Sequence, residues 1–90
     1  MVEFDAAKNA ANLLRRGVGL VRFMDMEIET SISYEDTRED YGERRFVVWG
    51  LLDGRLHVAV ITYRGEKIRV ISLRRANRRE EKTYAKASKR

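Results

Sequence analysis

Two short glycine loops, Asp53-Gly54 and Arg64-Gly65, punctuate the middle of the chain and limit it more than any other feature. Each separates runs that alternate apolar and polar residues: about Arg44–Leu52, Arg55–Tyr63 and Glu66–Leu73. Two-residue loops of this composition join antiparallel strands, and Asp-Gly is the stronger signal. The central third is therefore expected to be a three-stranded meander. Setting Leu52 opposite Arg55 and Tyr63 opposite Glu66 gives a register. Phe46, Val48, Ala59, Ile61, Ile68 and Val70 then share one face. Val47, Trp49, Leu51, Leu56, Val58, Val60, Ile71 and Leu73 share the other. Both faces are apolar, so each must be covered.

The flanking segments offer the cover. Asp5 suits the N-cap of a helix over about residues 6–16, and Gly17 suits its left-handed end. Ala7, Ala10, Ala11 and Leu14 recur at helical spacing and are read as its inner face. A second short helix is expected around Val18–Met24, with Gly19 inside it. "MEIETSISY" alternates as a half-exposed strand, and the acidic stretch "EDTREDYGE" follows as a loop. A last helix is expected over about Ala76–Ala87. With 90 residues, no proline and no low-complexity tract, the chain has no linker and forms one domain, residues 1–90. The expected architecture is α+β: two N-terminal helices, a four-stranded mainly antiparallel sheet with room for a short extra N-terminal strand, and a C-terminal helix.

Composition narrows the chemistry. There is no cysteine and one histidine, His57, which leaves no thiolate site and makes a histidine metal site a poor expectation. No apolar run approaches the roughly 18–20 residues of a membrane span. "MVEFDAAKNAANLL" lacks a basic leader, so a cytoplasmic, soluble protein is expected. The net charge of +5 is unevenly divided: residues 1–43 carry −5 and residues 44–90 carry +10. Such a split fits a polyanion site on one part, and equally two halves that complement each other once folded.

The register gathers Arg45, Thr62, Lys67 and Arg69 on one face, at the sheet end that holds the Arg64-Gly65 turn. Four cations (Arg45, Arg64, Lys67 and Arg69) thus converge from scattered positions. Arginine offers phosphate paired, permanently charged donors, and lysine a mobile point charge. The reaction suited to such a set, with no metal and no cofactor, is RNA cleavage by the adjacent 2′-OH, where cations stabilise charge building on the phosphoryl oxygens. An ion-paired rim facing the acidic loop would use the same residues. His57 stands about seven residues from Arg64, roughly 23 Å along one strand, and faces away from Lys67 and Arg69, so it reads as structural. Glu80 and Tyr84 lie one helical turn apart and read as docking groups, Glu80 pairing an arginine; base stacking or proton transfer by Tyr84 is the other reading. Arg79, beside that stripe, is the helix cation best placed to reach over the sheet.

Three stretches together resemble the BrnT family of type II toxins, small proteins with a RelE-like fold. "FDAAKNAANLLRRGV" (Phe4–Val18) is similar to the family's opening, "DTREDYGERRF" (Asp36–Phe46) to its lead into the central hairpins, and "IRVISLRRANRREEKTY" (Ile68–Tyr84) to its closing pattern. The chain departs from the pattern at Ala6, where the family has proline, and at Arg15-Arg16, where it has Lys-His. The resemblance implies a RelE-like ribonuclease toxin that inhibits translation. It also implies a BrnA-type antitoxin partner that masks the toxin and contacts operator DNA. The resemblance implies Lys8, Arg64, Arg69 and Arg79 as site residues; Lys8, Arg64 and Arg79 are the catalytic candidates, and Arg69, with Arg45 and Lys67 from the register, is expected to hold RNA. A non-catalytic nucleic-acid-binding module or a regulatory subunit would use the same basic face.

Overall fold

The computed structural model describes residues 1–88. Its frame is a five-stranded sheet in the order β1-β5-β4-β3-β2. The strands are β1 Val2–Glu3, β2 Glu27–Asp36, β3 Arg45–Leu52, β4 Arg55–Arg64 and β5 Lys67–Arg75. The helices are α1 Ala6–Arg16 and α2 Arg78–Ser88, and a 3-10 helix covers Leu20–Asp25.

Two parts of the expected architecture are overturned. There is one N-terminal α-helix rather than two, because Gly19 is extended (φ −84°, ψ 153°) and only a 3-10 helix follows it. A Cβ on Gly19 would lie 2.9 Å from Asn9 Oδ1, so a side chain there would displace the amide that accepts from the Val21 N–H. The sheet is also five-stranded and mixed rather than four-stranded. Val2 and Glu3 pair in parallel with Ile68 and Arg69, and the Ile68 N–H donates to the Met1 carbonyl at 2.8 Å. Two residues are too few for alternation to show, so only the open edge of β5 defines that strand.

The first hairpin forms as read. Leu52 faces Arg55, and Asp53 and Gly54 both take positive φ (53° and 75°), the primed turn that matches strand twist. The second turn sits one residue later than read. Arg64 pairs with Lys67, so Gly65 and Glu66 form the loop, with Gly65 at φ 61°. Tyr63 consequently faces Ile68 instead of Glu66, a shift of two that leaves every side chain near the turn on its expected face. Further along, Ile61 pairs with Val70 but Val60 pairs with Ser72. This bulge turns Leu73 to the opposite face from the one expected.

Leu73 is fully buried among Leu20, Phe23, Met26, Val48, Ala59, Ile61 and Val70. That core lies between the sheet and the 3-10 helix, with Val2, Phe4 and Val18 packed at its margin. Helix α1 attaches differently from expectation. Its caps are as read: the Asp5 carboxylate accepts from the Lys8 N–H at 3.0 Å, and Gly17 is left-handed at φ 77°. Its inner face, however, is polar. Asn12 is the buried residue of the helix, and its amide nitrogen donates to the Val18 and Leu73 carbonyls at 2.7 Å each. Asn9 Oδ1 accepts from the Val21 N–H. Ala7, Ala10, Ala11 and Leu14, expected to face inward, are exposed.

Helix α2 closes over one end of the other sheet face. Asn77 and Glu80 cap it reciprocally: Asn77 Oδ1 accepts from the Glu80 N–H and Glu80 Oε1 from the Asn77 N–H, both at 2.8 Å. Arg74 on β5 grips Glu80 through two bonds of 2.9 and 2.8 Å, and the Tyr84 hydroxyl donates to the Thr30 carbonyl on β2 at 2.6 Å. The helix therefore spans from the β5 side to the far strand.

Asn12→Leu keeps the branching and heavy-atom count of the side chain but removes both amide bonds to the Val18 and Leu73 carbonyls. A loss of about 2–4 kcal/mol is expected, seen in thermal unfolding as a midpoint lowered by more than about 8 °C. A fall of under 3 °C would mean the amide does not hold α1.

Candidate nucleic-acid interface

The face under α2 carries one lateral row to which every strand contributes. Asp36 pairs with Arg45, Arg45 with Thr62, Thr62 with Arg69, and Arg69 with Glu3. Two cations thus flank a buried threonine, with a carboxylate at each margin. The next pair toward the turn is Arg64 and Lys67 on the same face. Convergence of the four cations follows as expected from the register, although Arg69 rather than Lys67 faces Thr62.

Their charge is partly answered. Arg45 lies 4.4 Å from the Tyr41 ring centroid and pairs with Glu43 at 3.1 Å. Arg69 meets Glu3 at 3.5 Å, and both are mostly buried. The acidic loop therefore does form part of an ion-paired rim. Arg64 and Lys67 are exposed, and neither has an ion pair among the described residues. Two held cations and two free ones make a site that can take a phosphate without first breaking all its contacts.

Asp36 faces this row but is committed elsewhere. Its carboxylate accepts two bonds from Arg38 and one from the Tyr41 hydroxyl. The Arg38 guanidinium, with a backbone N–H and Tyr41, holds the Asp36 carboxyl well below the usual carboxylate range. Between this loop and α2 lies a cleft of about 520 Å³, whose walls include Tyr34, Asp36, Arg38, Trp49, Arg74 and Glu80. Val47, Val58 and Val60 also line it, and Tyr34 is about half exposed. Trp49 Nε1 is buried with no hydrogen-bond partner among the described residues.

The remaining candidates separate. Lys8 is exposed one turn into α1. The Asp5 carboxyl is lowered first by its bond from the Lys8 N–H and further by the charges of Lys8 and Arg69; Arg69 reaches that corner by its pairing with Glu3. Arg79 does not join Arg64. It begins α2 beyond the far end of β5, where Arg78, Lys82, Thr83 and Lys86 line a shallow basic groove with it. Arg69 to Arg75 alone spans roughly 20 Å of strand. Arg74, not Arg79, is the arginine that lies on the sheet face. His57 is buried on the core side, its Nδ1 2.9 Å from the Arg55 carbonyl, as the structural reading required. Tyr84 is buried and its hydroxyl is engaged in docking.

Sequence reasoning passed over three groups. Trp49 was assigned to the right face without a role. Glu3 and Asp36 belong to the row only through pairings that no local pattern announces. Asn77 with Glu80 carried a legible signal, the Asn-x-x-Glu spacing of a capping box.

A mixed sheet with a cationic row beside an aromatic-lined cleft defines a small α+β domain. A family model described as the ribonuclease toxin BrnT of type II toxin–antitoxin systems matches residues 4–80, and the chain belongs to that family. It is accordingly a ribonuclease toxin of a type II system, and membership implies an antitoxin partner. No curated protein matches the chain. Among the described residues, no helix is long and apolar enough to cross a membrane.

Glu80 provides a check on the wall of the cleft. Arg74, then the Asn77 N–H, hold its carboxyl below the ordinary value of 4.5 despite partial burial. A depressed folded value means the stabilisation is complete above about pH 4.5 and is lost as pH falls through the folded value. The melting-temperature gap between the native chain and Glu80→Gln should stay constant from pH 7 to 5.5 and shrink below 4.5. A gap that widens on acidification would contradict the assigned ion pair.

Proposed function

We propose that the chain is a metal-independent RNA endonuclease that inhibits translation by cutting message, with the scissile phosphate at the Arg64–Lys67 end of the cationic row. The observation carrying this reading is the convergence of Arg45, Arg64, Lys67 and Arg69 on one face, with two of the four left free for a ligand. The ribonuclease class of the family supports it. On this reading the positive charge offered to a phosphate is that of the side chains themselves.

The reaction follows from the charges. The 2′-oxygen forms a bond to the adjacent phosphorus as its proton passes to water, and the bond to the 5′-oxygen breaks as that oxygen takes a proton from water. A 2′,3′-cyclic phosphate and a protonated 5′-hydroxyl result. Negative charge accumulates on the non-bridging oxygens, where Arg64 and Lys67 stabilise it. Arg69 and Arg45 orient the backbone, and Lys8 adds charge from the α1 side of that corner. Arg79, with Arg78 and Lys82, holds the strand at the far end, which replaces its expected place beside the reacting phosphate. Tyr34, half exposed at the cleft, suits stacking by an unstacked base of a single strand. A BrnA-type antitoxin that carries the complex to operator DNA completes the reading.

Single-stranded RNA should be cleaved by the purified chain in EDTA, or on translating ribosomes if free RNA is untouched. Arg64→Ala is expected to lower the rate about 100-fold or more. Lys67→Ala should lower the rate as well as weaken binding, Arg79→Ala should weaken binding, and each should reduce the salt dependence by about 0.7 per lost phosphate contact. Tight RNA binding with no cleavage in either format would instead identify a non-catalytic module.

A further inference from the structure

Helix α1 presents the wrong face to solvent for a helix that only completes a core. At 100° per residue, Ala7, Ala10, Ala11 and Leu14 form one stripe, diametrically opposite Asp5, Asn9, Asn12 and Arg16. The polar stripe faces the protein, through the bonds of Asn9 and Asn12. The apolar stripe is exposed: Leu14 is 90% accessible, and Leu13 beside it 53%. One flank of the stripe carries Lys8 and Arg15, seven residues apart and so two turns apart on the same side. Helix α1 contains no acidic residue. Arg15 also lines, with Arg16, a shallow groove shared with Arg74 and Arg75.

We infer that this stripe is the docking site of the antitoxin, which seats an amphipathic helix there with its apolar side on Leu14 and Ala10 and carboxylates beside Arg15. An exposed apolar stripe of this kind marks an interaction surface, and a helix laid against it would be read through i, i+3, i+4 and i+7 contacts. The charges choose the occupant. A second copy of the chain offers no carboxylate from α1 to meet Lys8 and Arg15, and in antiparallel contact it sets that flank against its own image. A partner with acidic residues beside its apolar stripe satisfies both features. The alanines permit close helix approach, and the single large side chain, Leu14, supplies the anchor. The inference rests on family membership, which implies the antitoxin, and not on the location of the cleavage site.

The test is titration calorimetry of the purified chain with the antitoxin encoded beside it, in the absence of RNA. Leu14→Glu and Ala10→Glu, both exposed and helix-compatible, are expected to weaken binding at least 100-fold. Arg15→Glu should weaken it about 10-fold, an effect that shrinks in high salt. Melting temperature and RNA cleavage should remain within error for all three. If Leu14→Glu fails to fold, Leu14→Ala serves, with a loss of about 10-fold expected. Three results would overturn the proposal. They are affinity unchanged within twofold in the α1 variants, binding lost only in Lys67→Glu, and a chain that sediments alone as a dimer split by Leu14→Glu. A chain inactive on RNA whose α1 variants still lose the antitoxin would refute the cleavage reading and leave this one standing.

Discussion

The two amide protons of Asn12 decide how the first quarter of the chain is used. One reaches the Val18 carbonyl just past the helix, the other the Leu73 carbonyl in the bulged end of β5. Only a carboxamide can supply two donors from one nitrogen at that depth; aspartate has none, and leucine would leave both carbonyls unpaired. Because the helix is fastened by polar contacts, it does not need its alanines and leucines for attachment. The core is closed instead by the 3-10 helix, whose Leu20 and Phe23 are fully or nearly fully buried. The bulge belongs to the same arrangement, since it brings Leu73 to the face against which α1 and the 3-10 helix sit.

Across the sheet the limiting constraint is register. Arg45, Thr62 and Arg69 come from three strands and are neighbours only because each pairing fixes the next. A slip of one residue would move the arginines to the core face, where unpaired cations cost several kcal/mol each. The second hairpin did shift from the simplest reading, but by two positions, which conserves faces. The cationic row is therefore robust to an error in loop placement and sensitive only to parity. At one margin Glu3 pairs with Arg69, while the cations without an ion pair, Arg64 and Lys67, stand at the turn.

This is also why the sequence was informative in some places and silent in others. Strands β3 and β4 announce themselves through an Asp-Gly loop and sustained alternation, and both capping residues of α1 are conventional in their chemistry. The inward face of α1 was misread because two stripes at the same helical period compete. Ala7-Ala10-Ala11-Leu14 and Asp5-Asn9-Asn12 fit equally well, and hydrophobicity favoured the one that stays outside. Strand β1 and the bulge have no local signature, since one is two residues long and the other is defined by its partner strand. Arg79 was attached to the cation cluster by family pattern, whereas the length of β5 keeps it at the opposite end. The cluster on the sheet was legible because alternation and hairpin loops carry three-dimensional information; the helix cations were not.

The consequence is a molecule with two working surfaces on opposite sides of one sheet. The proposed RNA path lies under α2, and the proposed antitoxin stripe lies on the solvent side of α1, beyond the core. A partner confined to the stripe would not fill the aromatic cleft. Lys8 is the point where the two surfaces meet. It flanks the apolar stripe next to Arg15 in helical position, and it shares the electrostatic neighbourhood of Asp5 with Arg69. An acidic partner that pairs with Lys8 lowers the positive potential at the Arg69 corner without touching the cleft floor. Any pairing of such a partner with Lys8 weakens as ionic strength rises, because Lys8 is exposed to screening.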